Sequence, residues 1–69
     1  MKMTYDKDAN AVYIYFDKEN IEVEATEGGW PFNIDLDSQG NVVGLEIMDA
    51  DKVLDSRYLS KIPRIDSSK

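Results

Sequence analysis

Residues 32–50, FNIDLDSQGNVVGLEIMDA, decide how this chain folds. Phe32, Ile34 and Leu36 alternate with Asn33, Asp35 and Asp37, the period-two signature of a strand with one buried face. After Ser38-Gln39-Gly40-Asn41 the alternation resumes with Val43, Leu45 and Ile47. A turn centred on Gln39 and Gly40 sets 36 against 43, 34 against 45 and 32 against 47, so apolar meets apolar at every step. A one-residue slip would turn each of them to the polar face, which specifies the register strongly. Gly40 supplies the positive φ that a tight turn requires.

The same stretch carries a second reading. Asp35-x-Asp37-x-Gln39-Gly40, with Glu46 six residues on, nearly fits the twelve-residue calcium loop of an EF-hand, and Gln39 alone departs from the preferred Asp or Asn. Such a loop is flanked by helices. Here Pro31 and strict alternation precede it, and a β-rich alternating run follows, so the hairpin is the better reading. Weak calcium binding by Asp35, Asp37, Gln39 and Glu46 stays as the minority alternative.

Outward from this hairpin the pattern repeats. Met3 and Tyr5 form a first short strand, and Asp6-Lys7-Asp8-Ala9-Asn10 is turn chemistry, with Asn10 suited to a left-handed conformation. Residues 11–16, AVYIYF, are apolar on both faces. Pairing 5 with 12 and 3 with 14 aligns their apolar sides. A turn at residues 17–20 then leads to Ile21, Val23 and Ala25, with 16 opposite 21 and 14 opposite 23. Gly28-Gly29 reads as the next two-residue turn, setting 25 against 32 and 23 against 34, with an irregularity expected beside Trp30 because Pro31 lacks an N–H. The expected fold is α+β, mainly β: a five-stranded antiparallel meander with a C-terminal helix packed on one face. Asp49 caps that helix, which runs to about Ile62 and turns Val53, Leu54, Tyr58 and Ile62 inward, though Asp55-Ser56 is a weak centre. The expected layout is a single small domain over 1–69, with the sheet over about 2–48, the helix over about 50–62 and a frayed tail over 65–69.

The chain has 69 residues and a net charge of −6, with no His and no Cys. Serine–histidine, cysteine–histidine and histidine–metal sites therefore cannot form within it. Residues 1–48 hold ten carboxylates and three lysines, and residues 49–69 four carboxylates and five basic residues, so the sheet is acidic and the tail near neutral. An acidic sheet disfavours nonspecific binding to nucleic acid. No apolar run points to a membrane, and a cytoplasmic location is expected.

The outward face of the expected sheet is the informative surface. Tyr13 and Tyr15 stand at its centre, with Val42 and Met48 to one side and Glu22, Glu24 and Glu46 around them. Two tyrosines on the most apolar strand read either as good strand formers with exposed hydroxyls or as the aromatic anchor of an acidic-rimmed interaction patch. The outer carboxylates read as solubilising charges or as acid/base pairs. No phosphate loop is present, since Gly28-Gly29 runs into Trp-Pro, and no cofactor is expected.

With these residues in place, MTYDKDANAVYIYF and NIDLDSQGNVVGLEIMDA together resemble the small prokaryotic family of domains of unknown function numbered 2283. Val12 stands where members usually carry a longer aliphatic residue. The resemblance implies a compact β-rich domain with no established activity, and some relatives stand beside toxin proteins, which implies an antitoxin-like role. The expected function is a non-catalytic protein-interaction module, partnered by a basic protein and by itself as a homodimer, through the outer face or a sheet edge. The alternative is a small ligand-binding or carboxylate-based enzyme domain.

Overall fold

The computed structural model describes residues 2–16 and 22–65. The expected turn at 17–20, Ile21 with its pairing to Phe16, and residues 66–69 of the expected tail lie outside them. Among the described residues six strands form one sheet: β1 (Lys2–Asp6), β2 (Ala11–Tyr15), β3 (Ala25–Gly29), β4 (Phe32–Leu36), β5 (Val42–Met48) and β6 (Arg64–Ile65), with two short helices, α1 (Ala50–Val53) and α2 (Ser56–Leu59), between β5 and β6. The α+β, mainly β class and its five antiparallel strands are as expected. The strand order is not that of a meander. It runs β3-β4-β5-β2-β1-β6, so β2 lies beside β5 instead of β3.

The physical reason is burial. β2 is apolar on both sides, which suits a central position, and β5 brings Ile47 opposite Val12 and Leu45 opposite Ile14. β3 reads ATEGG and is exposed throughout, a composition fit for an edge. Ile14 accordingly faces Leu45 and Met3 across its two neighbours, and Val23 precedes β3 without joining β2.

Register follows the reading in two places and departs in two. Tyr5 pairs with Val12 and Met3 with Ile14, and Ile34 pairs with Leu45 and Phe32 with Ile47, as the alternation requires. A bulge between Asp35 and Leu36 sets Leu36 against Val42 in place of Val43. In the β3–β4 hairpin Ala25 pairs with Leu36 and Gly29 with Phe32, a four-residue displacement from the expected register. The turn is Trp30-Pro31, joined by a cis peptide, and Gly28-Gly29 belongs to the strand. Proline closes the turn where no ladder donor is needed. Gly28 takes φ +113, and a Cβ there would meet the Phe32 carbonyl at 2.7 Å, so its glycine serves close strand approach.

The expected single helix is two. Leu54 is extended, and Asp55 accepts the Arg57 amide at 2.8 Å to cap α2 afresh, which is what an Asp-Ser pair favours over a helix interior. Asp49 does not cap α1. It is left-handed at φ 51, and its carboxylate accepts the Trp30 indole N–H at 2.7 Å. Asn10 takes over the capping from forty residues upstream. Its carbonyl accepts the Ala50 amide at 2.9 Å and its Oδ1 the Asp51 amide at 3.1 Å. Asn10 is itself left-handed at φ 53, as its place in the first turn suggests.

The core lies where this helical segment meets the sheet. Tyr5, Val12, Ile47 and Ala50 are buried, and Ile14, Val53, Leu54, Leu59 and Ile62 pack around them. Leu59 takes the inward place expected of Tyr58, which is exposed. The chain then returns to β1: the Pro63 carbonyl accepts the Tyr5 amide at 2.7 Å, and Arg64 and Ile65 pair in parallel with Tyr5 and Asp6. The start of the expected frayed tail is therefore a strand, because the outer edge of β1 offers free backbone groups. No helix among the described residues is long and apolar enough to cross a membrane.

Candidate functional site

Alternation places Tyr13 and Tyr15 on the face turned away from the helices. Their rings stack 6.1 Å apart, 11° from parallel. The neighbouring strand β5 sets Glu46 directly opposite Tyr13 and Gly44 opposite Tyr15, and Met48 opposite Ala11. On the other side β1 contributes Thr4 opposite Tyr13 and Lys2 opposite Tyr15.

The electrostatics follow from this arrangement. A hydrogen bond to the Glu46 carboxylate, then burial and the neighbouring negative charges, push the Tyr13 phenol from 10.0 up to about 12. Burial first, then Asp35 and Glu46, raise Tyr15 as well. Both rings are neutral hydrogen-bonding groups at physiological pH, set in a negative field.

Strand β4 completes the surface. Asn33 donates through Nδ2 to Glu46 Oε1 at 3.2 Å and makes a longer contact with the Met48 sulfur at 3.7 Å. Thr26 on β3 donates to Asp35 Oδ1 at 2.9 Å. Gly44 is buried, and a Cβ there would lie 3.2 Å from the Ile14 carbonyl and 3.6 Å from Asp35 Oδ2. The surface is thus an open platform with a stacked aromatic pair, a glycine floor and carboxylates at 35 and 46.

Of the residues singled out in the sequence, Tyr13, Tyr15, Glu46 and Met48 come together. Val42 is exposed at the far end of β5, next to the bulge. Glu22 and Glu24 do not rim the tyrosines, because they precede β3, which β4 and β5 separate from β2. Glu24 instead donates its amide to the Leu36 carbonyl at 2.8 Å. Asn33, Thr26 and Gly44 were not singled out. A glycine within an alternating strand marks close approach of a neighbouring group, and Gly44 was the signal available for this part of the face.

The near-match to a calcium loop is a hairpin. Asp37 folds its carboxylate onto its own turn, accepting the Gln39 and Asn41 amides at 2.9 Å each, and these bonds hold its carboxyl below the usual range. Asp35 and Glu46 lie on adjacent strands, engaged with Thr26 and Asn33. Among the described residues no group of three or more His, Cys, Asp or Glu is gathered as a metal site.

A cleft of about 450 Å³ lies on the opposite, helix-bearing side, lined by Tyr5, Ser56, Leu59, Ser60 and Arg64. It presents hydroxyls and one guanidinium, with no carboxylate in its lining.

Comparison with the curated proteins and with the solved structures found no match to this chain. The model of a family of proteins of unknown function, DUF2283, matches residues 2–50, which span β1 to β5 and the first residue of α1. With its five antiparallel strands inside the matched region, the chain belongs to the DUF2283 family.

Proposed function

We propose that the protein is a non-catalytic interaction module whose outer face takes a basic segment of a partner protein. The observation that carries this reading is the stacked Tyr13–Tyr15 pair beside Glu46 and Asp35. An arginine or lysine side chain laid over the tyrosine faces gains from the ring quadrupoles, and its charge meets the two carboxylates. Gly44, opposite Tyr15, lets the Asp35 carboxylate lie close over β5 beside the aromatic pair.

Placement also favours binding over catalysis. Acid/base work by a carboxylate pair calls for a cleft that excludes water, and the cleft beside Tyr5 and Arg64 has no carboxylate in its lining. The outer carboxylates stand on an open sheet. An acidic domain that masks a basic protein partner, in an antitoxin-like manner and in the cytoplasm, is the physiological form of this reading.

The test is a titration of the isotope-labelled protein with an arginine-rich peptide, followed by amide NMR. Shifts centred on Tyr13, Tyr15, Gly44 and Glu46, suppressed in Glu46→Gln and Tyr15→Ala and weakened by salt, support the proposal. An unresponsive platform, or shifts unchanged in both variants, overturns it.

A further inference from the structure

The two short helices cover only part of the inner sheet face. They close over the row Tyr5–Val12–Ile47, against which Ile14 also packs, and the next row across the sheet, Met3–Ile14–Leu45–Ile34, is half-buried in its middle and exposed at both ends. Met3 is 37% exposed and Ile34 36%, although both point to the face that carries the core. Phe32, at the end of the covered row, is 45% exposed, and Phe16, which continues the alternation of Val12 and Ile14, is 46% exposed. A sheet face of this composition needs a second layer. We propose that this layer is a second copy of the chain, packed sheet on sheet over the Met3–Ile14–Leu45–Ile34 row.

Charge argues for a copy of the chain itself. The molecule carries a net −6, so two copies can meet only where the charge is absent. The outer face holds Asp35 and Glu46, which a two-fold axis would bring against their own copies. The inner row carries no charged side chain until Glu27, opposite Ile34 on the edge strand β3, where it falls on the rim of a contact. Area argues the same way. The six apolar side chains Met3, Ile14, Phe16, Phe32, Ile34 and Leu45 expose on the order of 400 Å². That is close to the apolar share of the roughly 800 Å² that each partner gives up in a standard interface. The need is real as well. Among the described residues only Tyr5, Ala11, Val12, Ile47 and Ala50 form the buried apolar core, and the chain has no cysteine with which to staple it.

The experiment is sedimentation equilibrium of the full chain up to about 200 µM, a range that reveals even a weak dimer. The expected mass is twice 7.9 kDa. Ile34→Glu should weaken the dimer at least about a hundredfold by setting an unpaired charge in the apolar row. Tyr15→Glu, on the other face, should leave it within about threefold. If Ile34→Glu loses the circular dichroism of the folded sheet, Met3→Glu at the periphery takes its place. A dissolved paramagnetic probe that spares the Ile14 and Leu45 methyls only at high concentration gives the same answer without substitution. A monomer at the highest concentration overturns the proposal. So does a dimer indifferent to both inner-face variants, or one dissolved by Tyr15→Glu.

Discussion

Asn10 does more than any other single residue to join the parts of this fold. It turns the β1–β2 hairpin with a left-handed backbone, accepts the Tyr5 hydroxyl at 3.1 Å, and donates to Asp51 Oδ1 at 2.7 Å. It also receives the first free amides of α1. Asn10→Ala should cost about 2 kcal/mol in urea denaturation, from the lost cap, the lost bonds and the left-handed backbone together. Asn10→Gly keeps the backbone and should cost less, which separates the two contributions. Tyr13 makes a second prediction, in alkali. Its phenol ionises near 10 in the unfolded chain and about 12 in the folded one, so the unfolded state releases the proton first. The stabilisation is whole below pH 10 and is lost as pH rises towards 12, by no more than about 2 kcal/mol given the partial exposure of the ring. Tyr13→Phe should flatten this alkaline limb, as followed by denaturation at stepped pH. A limb of unchanged slope would assign it to other groups.

At the scale of elements, strand order decides which valines matter. A meander would place Val12 and Val23 alike in the core. In the observed order Val12 is 1% exposed at the centre of the sheet, and Val23 stands 46% exposed ahead of the edge strand. Val12→Ala should therefore cost about 2–3 kcal/mol, and Val23→Ala less than about 0.5, measured by thermal or urea denaturation. Equal losses would restore the meander. The same contrast shows what the sequence could disclose. Alternation identified β1, β2, β4 and β5 with their inward faces, the β1–β2 register, and the β4–β5 register as far as the bulge, because those depend on residues adjacent along the chain. It set the third strand on Ile21, Val23 and Ala25, whereas β3 is Ala25–Gly29. It also gathered Tyr13, Tyr15, Glu46 and Met48 on one face. It could not disclose that β2 takes β5, since on apolar matching alone Val23 and Ala25 fit opposite Ile14 and Val12 in the expected register, as Leu45 and Ile47 do in the observed one. Sequential strands pair often enough to mislead here. The misplacement of Glu22 and Glu24 follows directly from that one exchange. The broken helix was half visible in Asp55-Ser56, whereas its cap at Asn10 is a contact across forty residues that no local pattern announces.

For the whole molecule, the two sheet faces divide the work. The outer face concentrates negative charge around aromatic rings, and the inner face is apolar and only partly roofed. A dimer formed through the inner face leaves two acidic platforms pointing away from each other, so each copy can bind a basic segment independently. Stability and binding then respond to different variables. Because folding and association are coupled, the thermal midpoint should rise with protein concentration. For a chain of 69 residues the expected slope is roughly 4–5 °C per tenfold, from the unfolding entropy of two such chains. Salt should barely change this slope, because the inner contact is uncharged at its centre, whereas screening should weaken the basic peptide on the outer face severalfold. Calorimetry at three concentrations and two ionic strengths separates the effects. A midpoint independent of concentration would mean that the small core around Val12 holds the fold alone. A concentration slope that collapsed with added salt would locate the contact on a charged surface instead of the Met3–Ile34 row.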